Sequence, residues 1–365
     1  FTGETYHTAT WPRDESTSEP APVRFDGKRI GIIGTGSSGV QTIQELAKST
    51  AEVYVFQRTP NWCMPLGNKA LSPAEQKDIH ARQKQIFADC MKTFSGFDYD
   101  FIDQSALDAT AAEREALFEK LYWSAGFGLW LGSYNDTITD PRANALVSEF
   151  VARKVRERVK DPAVAEKLIP TDHGFGTRRI PLETRYYEAY NQPNVHLVDV
   201  KECPIENINP AGIKTTARQY DLDMIIYATG FDAITGAFDK IDIQGVNGEK
   251  LAQRWIDGPS TFLGMTVSGF PNFIMLAGPQ SGSASTNFPR GIESGCDWIT
   301  DLLAYTFEHD HTRLEPTPEA EAEWTEHVKK MYGMMLMRKA KSWFTGYNSN
   351  VDGHEHGKIR YFVYN

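Results

Sequence analysis

The sequence predicts an α/β fold built on a parallel, doubly wound sheet that is interrupted by a helical insertion. Three observations predict it. A β-rich run at 29–33 (RIGII) passes through a glycine-rich turn into a helical pattern at about 37–48, then into a second β-rich run at 53–57. That strand–turn–helix–strand order makes neighbouring strands parallel. From 71 to 168 the alternation gives way to helical spacing, and β-rich runs resume at 195–200 and 224–228.

Each element has its own signal. Residues 1–28 are loop-rich and lead into the first run. Ser72-Pro73-Ala74-Glu75 forms a capping box with proline in the first turn, so a helix starts there; Ile79, Ile86, Phe87 and Met91 then recur at helical spacing. Further helices are expected at 110–123, 140–158 and 161–168, with no internal repeat. A hairpin is expected over 205–216, turning at Asn209-Pro210-Ala211-Gly212. Residues 273–277 read as a buried strand, 292–305 and 318–337 as helices, 346–357 as a polar tail, and the final YFVYN as a strand cut short.

At 365 residues the chain has room for two or three domains. A net charge of -10 argues against general nucleic-acid binding, since phosphate backbones repel acidic faces. Cys63, Cys90, Cys203 and Cys296 lie far apart without a CxxC pair, which gives neither a metal site nor a disulfide framework and suits a reducing cytoplasm. No apolar run approaches the ~20 residues that cross a bilayer, so no membrane partner is expected. The opening FTGETYHTATWP reads like the middle of a protein, and the chain is expected to be a fragment.

The chemistry begins at Gly34-Thr35-Gly36-Ser37-Ser38-Gly39, placed between a strand and a helix. The first glycine permits the tight turn, the second lets a pyrophosphate approach the backbone, and the third allows close helix–strand packing. The helix N-terminus faces the phosphates. Gln41, one turn along that helix, belongs to the same expected cofactor site. An NAD site places a carboxylate at the end of the second strand. Here that strand ends Gln57-Arg58-Thr59, where a guanidinium and a hydroxyl suit a 2′-phosphate, so NADP is expected. The plainer reading of Arg58 is a solvated surface charge.

Phe1, Gly3, His7, Trp11 and Pro12 fall in the pattern FxGxxxHxxxWP, which composition does not explain. Position for position it resembles the fingerprint of the type I Baeyer–Villiger monooxygenases, class B flavin-dependent enzymes. The flavin enzymes that oxidise sulfur or nitrogen carry a similar start without the Trp-Pro ending. The resemblance continues through Gly176-Thr177-Arg178-Arg179, Tyr227-Ala228-Thr229-Gly230-Phe231-Asp232, the 278–288 loop GPQSGSASTNF and Ser342-Trp343-Phe344-Thr345-Gly346.

The resemblance implies two Rossmann-like dinucleotide-binding domains with a helical insertion, the FAD domain being incomplete in this chain. It places a fingerprint linker at 1–28, an NADP domain at 29–70 and 169–228, the insertion at 71–168, and the later part of the FAD domain at 229–365. It assigns Arg179 as catalytic and also as a cofactor contact, with Arg178 on the 2′-phosphate and Trp343 on the nicotinamide ribose. Ser283, Ala284, Ser285 and Phe288 would line the substrate pocket, Phe288 also touching cofactor, and Phe1, Gly3, His7, Trp11 and Pro12 would couple the domains. The family's FAD-binding glycine motif and the aspartate partner of its arginine lie upstream of the fingerprint, and its members continue past YFVYN.

The implied activity uses FAD, NADPH and O2 to insert oxygen beside a ketone carbonyl through a flavin C4a-peroxide, giving an ester or lactone. NADP⁺ would stay bound on Arg58, Thr59, Arg178 and Trp343. Two alternatives stand beside it: a flavin enzyme oxidising sulfur or nitrogen, and a nucleotide-binding fragment that is inert alone. A plain pyridine-nucleotide dehydrogenase would not follow ATGF with SWFTG. The particular ketone and the oligomeric state are not written in the sequence.

Overall fold

The computed structural model describes residues 1–14, 16–281, 285–349, 351, 354 and 359–361. Along the chain, β1 (Glu4–His7) and β2 (Arg29–Ile33) precede α1 (Ser37–Leu46) and β3 (Glu52–Gln57). Then come β4 (Met64–Pro65), α2 (Pro73–Cys90), α3 (Ala111–Tyr122), α4 (Gly128–Leu131), α5 (Pro141–Arg158) and α6 (Pro162–Leu168). β5 (Leu182–Glu183), α7 (Tyr186–Ala189) and β6 (Val195–Asp199) lead into β7 (Ile205–Asn209), β8 (Gly212–Thr215), β9 (Gln219–Asp221) and β10 (Met224–Tyr227). The remainder carries α8 (Leu251–Arg254), α9 (Phe288–Glu308) and α10 (Pro318–Met334).

The central sheet has the order β1-β10-β2-β3-β6, and every pairing in it is parallel. Its inner strands are β-branched and buried on both faces, as covered parallel sheets require. On one face Ile30, Ile32, Val53, Val55, Met224 and Ile226 pack with Val40, Ile43 and Leu46 of α1. On the other, Phe56 and Ile225 meet Ile213, Tyr220 and Leu222. Those last residues come from the antiparallel β7–β8–β9 meander and its exit, so the sheet lies between a helical layer and a small β layer.

The Ser72–Glu75 capping box is formed, and Thr110–Glu113 makes a second at α3. Strand β1 has no signal of its own in the sequence. ETYH lacks an apolar run, and its extended form is fixed by the open edge of β10, onto which Glu4–His7 pair residue by residue. Residues 273–277 do not form a strand: the Met275 amide bonds to the Met265 carbonyl at 2.7 Å, but no ladder follows among the described residues. Helix α9 starts at Phe288, ahead of the expected 292, because Pro289 is tolerated in a first turn. Helix α10 stops at Met334, where Met335 turns extended, short of the expected 337. The YFVYN ending lies outside the described residues except for Tyr361.

The α2 stripe is not a buried face. Ile79, Phe87 and Met91 are exposed, and only Cys90 of the helix is buried. The helical stretch is instead anchored by α5, whose Arg158 is 10% exposed and pairs with fully buried Glu183 at 2.8 Å and with Glu188 at 2.7 Å. Removing one member of such a buried pair strands the other charge. Among the described residues no helix is long and apolar enough to cross a membrane, and no cluster of His, Cys, Asp and Glu is placed to hold a metal.

Candidate dinucleotide-binding site

The turn between β2 and α1 is shaped by its glycines. Gly34 has φ +108, and a Cβ there would lie 2.4 Å from the Ala228 carbonyl oxygen, so no other residue fits. A Cβ on Gly39 would lie 2.2 Å from the Gly34 oxygen, so the helix can sit this close to the turn only with glycine. Gly36 differs: nothing lies within 4 Å of the place a Cβ would take, and as N-cap of α1 it supplies no side-chain cap. The first amides of α1 therefore open onto free space, the arrangement that receives a phosphate.

Gly36→Val tests that space. Gly36 is extended (φ -75, ψ -173), a conformation valine adopts readily. We expect the melting temperature to stay within a few degrees while NADP⁺ affinity, by isothermal titration, falls by a factor of ten or more. Unchanged binding would show that the pyrophosphate lies elsewhere.

Buried Thr35 spends its hydroxyl on the Thr59 carbonyl, at 3.0 Å, and so braces the turn against the end of β3. Ser37 and Ser38 are half-buried at the helix start and Gln41 is exposed on its surface. Beyond β3, exposed Arg58 reaches Ser349 at 3.4 Å. Arg178 arrives from the segment after α6. Burial draws its guanidinium down from its usual value; Asp172 opposes this and the charge of Arg58 reinforces it. Arg178 Nη2 donates to Asp172 at 2.9 Å, while its Nε is buried without a partner. Two neighbouring cations with a spare buried donor make a site for a dianion.

Arg179 points elsewhere. Its guanidinium lies 4.8 Å from the centre of the Phe127 ring, a cation–π arrangement, and burial draws it down too. Phe127 is in turn 5.9 Å from Phe97, and the nearby Ser95 carbonyl accepts the Asn287 amide at 2.7 Å. The short 95–97 segment thus links the surroundings of Arg179 to the entry of α9, where Phe288 is 42% exposed and Ser285 is buried. Ser283 and Ala284 lie outside the described residues.

The fingerprint joins two strands. His7, last residue of β1, pairs with Tyr227 of β10, and its Nε2 lies 3.2 Å from the Thr229 hydroxyl just beyond. Trp11 packs on Tyr6 and Phe25, at 5.2 and 6.2 Å between ring centres. Phe1 lies against Gly3, where a Cβ would meet its ring at 2.4 Å, and the Pro12 carbonyl accepts the Ala21 amide. Trp343 and Phe231 line a shallow, open cleft, with Tyr347 and Tyr361 among its other walls. The 343–349 tail therefore touches both the return segment and Arg58.

Sequence reasoning does not find Asn61, Phe127, Asp172 or His173. The Asn61 amide donates to the Arg179 carbonyl at 3.1 Å, and the Trp62 indole to the His173 carbonyl at 3.0 Å. No motif marks these residues: Asn61 and Phe127 meet their partners more than fifty positions away, and Asp172 and His173 sit in no pattern that ties them to Arg178, six positions on from Asp172.

No family model matches the chain. Over 355 residues it is 45% identical to the 2-oxo-Δ3-4,5,5-trimethylcyclopentenylacetyl-CoA monooxygenase of Pseudomonas putida, covering 97% of this chain and 65% of that protein. It is 41% identical to the cyclopentanone 1,2-monooxygenase of a Comamonas strain, covering 97% and 63%. The chain thus spans less than two thirds of the length of these curated relatives. It superposes on a crystal structure of OTEMO complexed with FAD and NADP with a TM-score of 0.91 at 44% identity, covering 100% of this chain and 67% of that one. With that likeness in sequence and fold, and the fingerprint strand joined to Thr229 beside the glycine turn, the chain belongs to the Baeyer–Villiger monooxygenases.

Proposed function

We propose that this chain is the NADP-binding part, and the later part of the FAD-binding region, of an enzyme that uses NADPH, FAD and O2 to insert one oxygen atom beside a ketone carbonyl. The product is an ester or lactone. The observation that carries the reading is the convergence of Arg58, Arg178 and the 343–349 tail near an open glycine cradle, in a chain of this family. The relatives named for cyclopentenyl and cyclopentanone substrates support a cyclic ketone.

NADP fits the residues present. The pyrophosphate would rest on Gly34–Gly39 and the first amides of α1, and the 2′-phosphate between Arg58 and Arg178, with Thr59 and Trp343 alongside. Residues 29–70 and 169–228 form this NADP-binding region, with 71–168 inserted in it. Among the described residues there is one strand–turn–helix cradle, so the chain's own geometry argues for one dinucleotide, and FAD enters the proposal through the family. FAD, when bound, supplies the oxygen-activating chemistry, and the protein's share is placement and charge. Arg179, half enclosed by Phe127, is a fixed cation suited to the negative charge that develops on oxygen as the ketone is attacked. His7 and Thr229 hold the fingerprint to the return segment, coupling the two regions.

The purified protein is expected to show flavin absorption in the near-UV and blue, and to convert cyclopentanone to its lactone with NADPH, one oxygen coming from ¹⁸O2. Oxidation of sulfides with no lactone from any cyclic ketone would refute the assignment. A colourless, inactive protein that still binds NADP⁺ would leave only the nucleotide site.

A further inference from the structure

We infer that Asp172 is a positioning residue that fixes Arg178 for a 2′-phosphorylated dinucleotide, with His173 holding Asp172 in place. The inference rests on the NADP site proposed above and names what selects for it.

Four side chains form one line. Asn61 Oδ1 lies 3.5 Å from His173 Nε2, and His173 Nδ1 donates to Asp172 Oδ1 at 2.7 Å. Asp172 Oδ2 accepts from Arg178 Nη2 at 2.9 Å. The line is anchored at the histidine, whose side chain is 1% exposed and whose carbonyl accepts the Trp62 indole. The hydrogen bond from His173, and then the Arg178 charge, hold the Asp172 carboxyl below the usual carboxylate range. It is therefore ionised throughout the physiological range.

One end of the Arg178 fork is thereby used, and its buried Nε is left over. A long side chain free to rotate would lose most of its rotamer entropy on binding a phosphate; one already fixed loses little. Charge alone predicts the opposite of positioning. A carboxylate beside a phosphate site repels the ligand, so removing it would tighten binding if Asp172 did nothing else. The two roles differ in sign.

The probes are 2′,5′-ADP, which carries the 2′-phosphate, and 5′-ADP, which lacks it, titrated calorimetrically into the whole chain. Asp172→Ala is expected to weaken 2′,5′-ADP tenfold or more and leave 5′-ADP unchanged within twofold. Asp172→Asn keeps an oxygen that can accept from Arg178 and is expected to recover most of the loss. In an Arg178→Met background, Asp172→Ala is expected to cause no further loss and, by relieving the repulsion of the carboxylate, to tighten 2′,5′-ADP slightly, because the residue it positions is gone. With Arg178 present, equal losses for both probes would show a general structural role, and tighter 2′,5′-ADP binding a purely electrostatic one; either overturns the inference. Should Asp172→Ala fail to fold, the asparagine variant in both backgrounds carries the test: a loss of 2′,5′-ADP affinity that persists without Arg178 overturns it. A wild-type chain that does not distinguish the two probes would overturn the NADP site itself, an outcome recognisable before any variant is made.

Discussion

Arg179→Ala is expected to abolish ester formation while leaving NADP⁺ binding and some NADPH oxidation intact. Removing one preorganised donor from the site of developing negative charge costs about 10²–10³ in rate. The guanidinium has an environment suited to such a role. It is largely withdrawn from solvent and faces Phe127 at 4.8 Å, so its field is less screened than that of an exposed cation. Its surroundings also differ from those of Arg178 next door, which turns to Asp172. The measurement is product yield per NADPH consumed, with NADP⁺ affinity alongside. Normal oxygenation in the variant would refute the role of Arg179. A matched loss of NADP⁺ affinity would instead place Arg179 in the nucleotide site.

Much of this is legible in the sequence because it depends on local rules. The β2–α1–β3 order, the capping box at Ser72 and the hairpin turning between Asn209 and Gly212 each follow from residues within a few positions of one another. The glycine turn is of the same kind. What escapes depends on partners distant in the chain. Strand β1 exists because β10, more than two hundred positions later, offers an edge. Residues 273–277 have the composition of a strand, but a strand also needs a neighbour, and Met265 offers one bond where a ladder is required. In α2 the apolar spacing correctly signals a helix yet says nothing of what covers Ile79, Phe87 and Met91. The candidate site divides by motif and not by distance. Arg58 stands out because a carboxylate is expected at its position, whereas Asp172, six positions before Arg178, belongs to no motif, and only the fold shows that the two side chains bond.

The second large effect belongs to Arg58. Arg58→Ala is expected to raise the Michaelis constant for NADPH by roughly 10- to 100-fold, the equivalent of one charge-assisted hydrogen bond at about 1.5–3 kcal/mol. The constant for NADH should change little, since the lost contacts are to a phosphate that NADH lacks. Equal effects on both cofactors would sink the assignment. The two arginines also differ in exposure: the Arg178 side chain is 17% exposed, whereas Arg58 lies on the surface beyond β3. Salt screens exposed charges over about 10 Å at 0.1 M and buried ones far less. Raising the ionic strength should therefore weaken NADPH binding mainly through Arg58, and the alanine variant should bind more weakly but with a flatter salt dependence. If the slope is unchanged, Arg58 does not meet the phosphate, and the spare donor of Arg178 holds it without help from the β3 end.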